Sequence, residues 1–184
     1  MHDEVISIFR NLKLPTQSQL DMLKMAGVSP TAIIWNWAGD PAEIRRAFIE
    51  WLPNNRFVFE ADSRGGVVFE NLVVIANDEC GEVADIVAFD VHGRFASLYG
   101  IPIIGLENAT LPRMSDGLPV HKSVTEWIRS YRKGVVILEP SKARHFLENS
   151  GSLVVDDPDY GRRLMAAMSW KPSILISRYA RQAA

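Results

Sequence analysis

The sequence predicts an α/β protein: a mixed sheet with an antiparallel meander and a parallel βαβαβ C-terminal half, plus an N-terminal helical subdomain. Three observations predict it. Apolar residues recur at helical spacing through residues 1–52. From Arg56 the pattern changes to short β-branched and aromatic runs separated by turn sequences. Beyond residue 122, apolar runs alternate with amphipathic helical segments, which argues for right-handed βαβ crossovers and a parallel sheet. The division expected is a helical subdomain over 1–54 and an α/β domain over 55–184.

The first helix carries Val5, Ile8, Phe9 and Leu12 on one stripe. The second opens on Thr16 with Gln19 three residues on, a capping box, and closes at Gly27. Ser29-Pro30 starts a third helix with Ile33, Ile34 and Trp37. Asp40-Pro41 with Glu43 starts a fourth, whose stripe would be Ile44, Phe48 and Trp51, ended by Pro53-Asn54-Asn55. RFVFEA, GVVFENLVVIAND and EVADIVAFD then read as antiparallel strands. Residues 92–119 hold a short helix around Phe95–Tyr99, a strand at Ile101–Ile104 and a long loop. A capping box at Ser123 and Glu126 starts the helix of Trp127, Ile128 and Tyr131. VVIL, a helix from Pro140, LVV, a helix from Pro158 and SILIS complete the chain.

Composition bounds the function more than it names it. The chain has 184 residues, 47% hydrophobic and 23% charged, values that fit a globular core. A formal net charge of −2 gives no general attraction to nucleic acid or anionic lipid. The single cysteine, Cys80, excludes an internal disulfide and any multi-cysteine zinc site. No apolar run approaches the ~20 residues of a membrane span, and the N-terminus has no signal-peptide pattern. A soluble cytoplasmic protein without a membrane partner is expected.

The segment SLVVDDPDYGRRL holds the densest chemistry. Glu139 follows one expected parallel strand directly, and Asp156-Asp157 follow the next, with Asp159 beyond. Ligands of open parallel sheets gather past the carboxyl ends of strands, so these four acids are candidate ligands for Mg²⁺ or Mn²⁺. Asp90, at the end of IVAFD, joins them if its strand runs the same way. Helix capping competes as an explanation. Asp157-Pro158 is an Ncap–N1 pair, Asp159 suits a first turn, and the same X-Pro start recurs at Ser29-Pro30, Asp40-Pro41 and Glu139-Pro140. Capping leaves only Asp156 without a role.

Glu139 after a strand, with Asp157-x-Asp159 entering a helix and Gly161-Arg162-Arg163 following, resembles the Toprim metal-binding pattern of primases and topoisomerases. The resemblance implies a divalent ion on these acids and a phosphate-containing substrate. More broadly, DIVAFDVHGRFASLYG, GVVILEP and DDPDYGRRL resemble a group of uncharacterised alphaproteobacterial proteins, some near phage-type genes. That likeness implies a bacterial accessory protein of a genome or mobile element.

Other residues point less sharply. His2, His92, His121 and His145 lack the spacing of a helical metal pair. His92, two residues after Asp90, reads as a turn histidine. Arg162 and Arg163 are candidate phosphate or nucleic-acid contacts, with solvated helix faces as the plainer alternative. Trp35 and Trp37 would mark a partner surface if exposed. No nucleophile-elbow, P-loop or dinucleotide motif is present. Two functions from different classes follow: a non-catalytic binding or accessory protein, whose partner is nucleic acid or another protein, and a divalent-metal-dependent enzyme on a phosphate-containing substrate.

Overall fold

The computed structural model describes residues 2–34, 44–110, 117–168 and, as backbone, 174–176. The protein is an α/β protein with both antiparallel and parallel strand pairing. Three helices lead: α1 (His2–Asn11), α2 (Gln17–Met25) and α3 (Pro30–Ile34). Thr16 caps α2 through the full capping box. Gly27, at φ +83°, ends α2, with its N–H on the Lys24 carbonyl and that of Val28 on Leu23. Ser29 caps α3, its Oγ accepting from the Ala32 N–H.

The helical reading then stops being correct. Ile44, Phe48 and Trp51 do not form a helical stripe, because β1 (Arg45–Leu52) is a strand. Ala47 and Ile49 point into the core, and Phe48 between them points outward. Asn54 and Asn55 take positive φ and turn the chain into β2 (Arg56–Phe59), so the Asn pair that reads as a helix end makes a hairpin. A domain boundary after residue 54 would therefore cut this hairpin. The expected start of that helix, Asp40-Pro41, and the Trp35/Trp37 pair lie outside the described residues.

Strands β3 (Val68–Asn77), β4 (Val83–Phe89) and β5 (Phe95–Ser97) follow, and β1-β2-β5-β4-β3 close into a barrel. The meander is real, but it closes on itself rather than extending a sheet, through a parallel contact of Arg56 with Ser97. The helix expected at Phe95–Tyr99 is instead β5, paired antiparallel with β4. Val5 and Phe9 of α1 share the barrel core with Ile49, Phe57, Val73, Ile86 and Ala88.

The second half is a five-stranded sheet in the order β10-β9-β7-β8-β6. Its strands are β6 (Ile103–Ile104), β7 (Leu118–His121), β8 (Val135–Ile137), β9 (Leu153–Val155) and β10 (Ile174–Ile176). All pair parallel except β6, which runs antiparallel at one edge. The connecting helices are α4 (Glu107–Thr110), α5 (Val124–Arg129), α6 (Pro140–Leu147) and α7 (Pro158–Met168). The central strand, β7, falls where the sequence reads as loop. Its Pro119 precedes the first β7–β8 pair, Val120 with Val135, so no ladder donor is lost there. Gly134 at the start of β8 is obligatory: at φ +83°, a Cβ on it would stand 2.3 Å from the Pro119 carbonyl oxygen.

Barrel and sheet share a core. Leu72, Val74, Val87 and Phe89 point out of the barrel and pack with Ile104, Val136, Leu138 and Trp127. The opposite face of the sheet packs Val120, Val135, Ile137 and Val155 under Ala143, Leu147, Leu164 and Met168 of α6 and α7. Arg132, stacked 5.8 Å from the Trp127 ring, donates to the Ala32 carbonyl and ties α3 to α5; burial lowers its pKa to about 10.

Asp85 fixes the crossing from barrel to sheet. Its carboxylate is 1% exposed and accepts from the N–H groups of Ile86 at 2.7 Å, Tyr99 at 2.9 Å and Ile101 at 2.8 Å. Burial raises its pKa, while those N–H groups pull it back down. An Asp85→Ala substitution leaves three interior donors without an acceptor. At roughly 1–3 kcal/mol per orphaned group, the expected loss is at least about 3 kcal/mol. Urea denaturation measures it, and a loss under about 1 kcal/mol would show that the crossing does not depend on this carboxylate.

Candidate functional site

In the order β10-β9-β7-β8, the chain leaves β7 toward β8 and later steps back across it to β9. Helix α5, after β7, packs on the barrel side, and α7, after β9, packs on the other. The two helix starts thus diverge between β7 and β9, and a crevice opens beyond their carboxyl ends. A cavity of about 560 Å³ lies there. Lys122, Ser123, Thr125, Glu126 and Arg129 line one wall, and Tyr160, Arg163, Leu164 and Ala167 line another. Ile137 and Pro140 contribute from the end of β8. The β4–β5 turn roofs it with Val91, His92 and Gly93. Asp90 shapes that turn, its Oδ1 accepting from the His92 and Arg94 N–H groups at 2.8 and 2.9 Å.

The four candidate ligands do not converge. Asp157 caps α7, its Oδ1 accepting from the N–H groups of Asp159 at 2.9 Å and Tyr160 at 3.1 Å. Those bonds, and then Lys122, hold its pKa below the ordinary carboxylate range. Asp159 pairs with Arg162 one turn on, in solvent. Glu139 stands at the start of α6 but makes no side-chain cap; it pairs with Lys142 at 2.9 Å. Because β7 lies between β8 and β9, Glu139 is offset from the tip by two strand spacings, about 10 Å. Among the described residues, no three His, Cys, Asp or Glu side chains are grouped to hold an ion. Asp156 is exposed, with no hydrogen bond or ion pair among the described residues.

Lys122 and Arg129 belong to the site, and sequence reading passed over them. The Lys122 ammonium stands 3.7 Å from Glu126 Oε1 and 3.6 Å from Asp157 Oδ2. Arg129 and Arg163 reach the cavity from helices on opposite faces of the sheet, and neither meets a carboxylate among the described residues. The available signal was the βαβ pattern itself, which puts the residues just after each parallel strand at the ligand edge. The signal fails at β7, because four residues interrupted by Pro119 do not stand out as a strand in the sequence.

Two half-buried groups brace the cavity edge. Tyr160 donates to the His121 carbonyl at 3.4 Å, and burial pushes its phenol up to about 12. His121 Nε2 lies 2.8 Å from the Lys133 carbonyl, so that nitrogen carries the hydrogen. His92 lines the cavity roof, whereas His2 bonds the Val83 carbonyl and His145 pairs with Glu148 on an exposed helix face. Cys80 sits exposed in the β3–β4 turn.

No family model, curated protein or solved structure matches the chain, so what the cleft can take must be read from its own chemistry. Among the described residues, no helix is long and apolar enough to cross a membrane.

Burial pushes the His121 pKa down, against the opposing pull of the Lys133 carbonyl, Glu126 and Asp156. The neutral ring is therefore the form the fold favours. Its contribution is fully present above the unfolded value near 6.5 and is lost as pH falls through the lower folded value. The urea midpoint should drop between pH 7 and pH 5, and His121→Gln should make that drop shallower. An unchanged slope in the variant would remove His121 from the pH response.

Proposed function

We propose that this protein is a non-catalytic binding or accessory protein whose carboxyl-edge cleft takes a phosphate-bearing anion. One observation carries the reading: Arg129 and Arg163 line the cavity from two sides without carboxylate partners among the described residues, while Asp157, Asp159 and Glu139 are each occupied by a cap or a local ion pair. Guanidinium groups that no acid compensates favour an anionic ligand, and their forked donors suit phosphate oxygens. The apolar lining of Ile137, Pro140 and Leu164 suits an uncharged part of the same ligand. Arg162, paired with Asp159, is the weaker of the two adjacent arginines for this purpose. A cytoplasmic place in a bacterial genome or mobile element fits the sequence resemblance and belongs to the same proposal.

A second reading keeps the Toprim-like enzyme, and Asp156 favours it. That carboxylate is exposed at the carboxyl end of β9, beside the switch point, and capping does not explain it. With Mg²⁺ or Mn²⁺ it would act on a nucleic acid or another phosphate ester.

Pyrophosphate in a thermal-melt series separates the two. The binding reading expects a rise of a few degrees at saturation without divalent ion, and about a tenfold weaker response in Arg129→Ala and in Arg163→Ala. No rise, or a rise untouched in the double variant, overturns it. Stabilisation of the wild type by Mn²⁺ alone would move the assignment to the enzyme.

A further inference from the structure

The chain has four histidines, and the rings of three are engaged. His2 Nδ1 lies 2.9 Å from the Val83 carbonyl, His121 Nε2 lies 2.8 Å from the Lys133 carbonyl, and His145 Nδ1 stands 3.9 Å from Glu148. His92 differs: its backbone N–H is used, but its ring has no hydrogen bond or ion pair among the described residues. The turn that carries it is nonetheless braced. Asp90 Oδ1 accepts from the His92 and Arg94 N–H groups, the Asp90 N–H donates to the Arg94 carbonyl at 3.0 Å, and Gly93 takes φ +97°. Arg94 stacks 4.3 Å from the Trp51 ring, which anchors its guanidinium on the barrel. On its other side the turn meets the sheet half. A Cβ on Gly93 would stand 3.8 Å from the Ser123 Cβ, and Thr125 Oγ1 reaches the Asp90 carbonyl at 3.5 Å. A braced turn thus presents one exposed, uncommitted imidazole at the cavity roof.

We propose that His92 is the cleft's third anion contact, the group through which the barrel half grips a ligand that Arg129 and Arg163 hold from the sheet half. The inference rests on the anion-binding reading of the same cavity, and it adds the contact that makes binding depend on pH. A neutral imidazole offers one N–H donor, whereas an imidazolium offers two and a positive charge. The other charged groups lining the cavity are Lys122, Glu126 and Arg129 of α5 and Arg163 of α7, with the phenol of Tyr160 beside them. Glu126 is the one acid of that set, and Lys122 engages both its oxygens, Oε2 through its N–H at 3.1 Å and Oε1 through its ammonium at 3.7 Å. On the turn itself, Asp90 Oδ1 is spent on backbone and Arg94 on Trp51. No acid among these competes with a ligand for the His92 ring. A multiply charged anion there favours the imidazolium, so proton and anion bind cooperatively, each raising affinity for the other.

The test is calorimetric titration of pyrophosphate into wild type, His92→Gln, His92→Lys and the double variant Arg129→Ala/Arg163→Ala, at pH 6 and pH 8. Affinity is the readout, because His121 makes stability itself depend on pH. Pyrophosphate gains protons over this range, but that change is common to every variant and cancels in their affinity ratios. Both His92 variants keep the backbone N–H that Asp90 holds, so the turn persists. The expected result is a wild type about tenfold tighter than His92→Gln at pH 6 and within about twofold of it at pH 8, since histidine changes charge across this interval. His92→Lys, charged throughout, should keep the tight binding at both pH values. A merely structural role for the turn would lower affinity equally at both, and that outcome overturns the proposal. So does a wild type to His92→Gln ratio near one at both. Arginine-dependent binding with a flat ratio leaves the anion-binding reading standing and removes His92 from it. Absence of pyrophosphate binding at either pH, or binding untouched in the double arginine variant, overturns both.

Discussion

Strands β3 and β4 are buried on both faces, and the rest of the molecule is arranged around that fact. Val73, Ile75, Ile86 and Ala88 face the barrel core, while Leu72, Val74, Val87 and Phe89 face the core shared with the parallel sheet. A strand with one wet face would alternate apolar and polar residues, so the continuous NLVVIA run is the direct signature of two-sided burial. Fully burying such side chains stabilises by about 1.5–3 kcal/mol each. The two modules therefore hold one another in a fixed relation. Asp85 and Asn55 refine that relation at the crossing, Asn55 by donating to the Leu138 carbonyl at 2.9 Å.

That fixed relation makes a cleft out of what would otherwise be an open sheet edge. The β4–β5 turn follows directly from β4, so wherever β4 is pressed against the sheet, Val91, His92 and Gly93 overhang the carboxyl ends of β7 and β8. Thr125 reaches the Asp90 carbonyl at 3.5 Å across the junction. The parallel half contributes the switch point and two helix starts, and the barrel half contributes the roof. Neither half alone encloses the volume. A ligand there would touch both modules, so binding would be coupled to their packing.

Local chemistry was the legible part of this chain. Thr16, Gly27, Ser29, Ser123 and Asp157 announce helix ends by side-chain type and spacing, because capping depends on residues within three positions. Longer-range facts were harder to read. Phe48 and Trp51 fit a helical stripe as well as a strand, and only pairing with β2 and β3 decides between them. Leu118–His121 is too short and too interrupted by Pro119 to stand out, yet it is the central strand because β8 and β9 both pair with it. With β7 unseen, Glu139 and the Asp156–Asp159 tip read as neighbours across one strand gap. The missing strand both separated them and brought Lys122 between Glu126 and Asp157.

The ambiguity of the acidic tip has a physical root that extends past this protein. A parallel strand followed at once by a helix must place the helix cap at the carboxyl edge, which is also where ligands bind. An Asp in that position serves the backbone whether or not it serves a ligand. Residue type and spacing alone cannot separate the two roles, and counting oxygens can. A capping carboxylate spends one oxygen on N–H groups and keeps the other free, so its functional meaning is set by what the second oxygen faces. For Asp157 that is the Lys122 ammonium; Asp159 caps nothing and instead pairs with the guanidinium of Arg162. Asp156 spends neither oxygen on a partner among the described residues, and so it is the one acid of the tip whose place is not already explained by the fold.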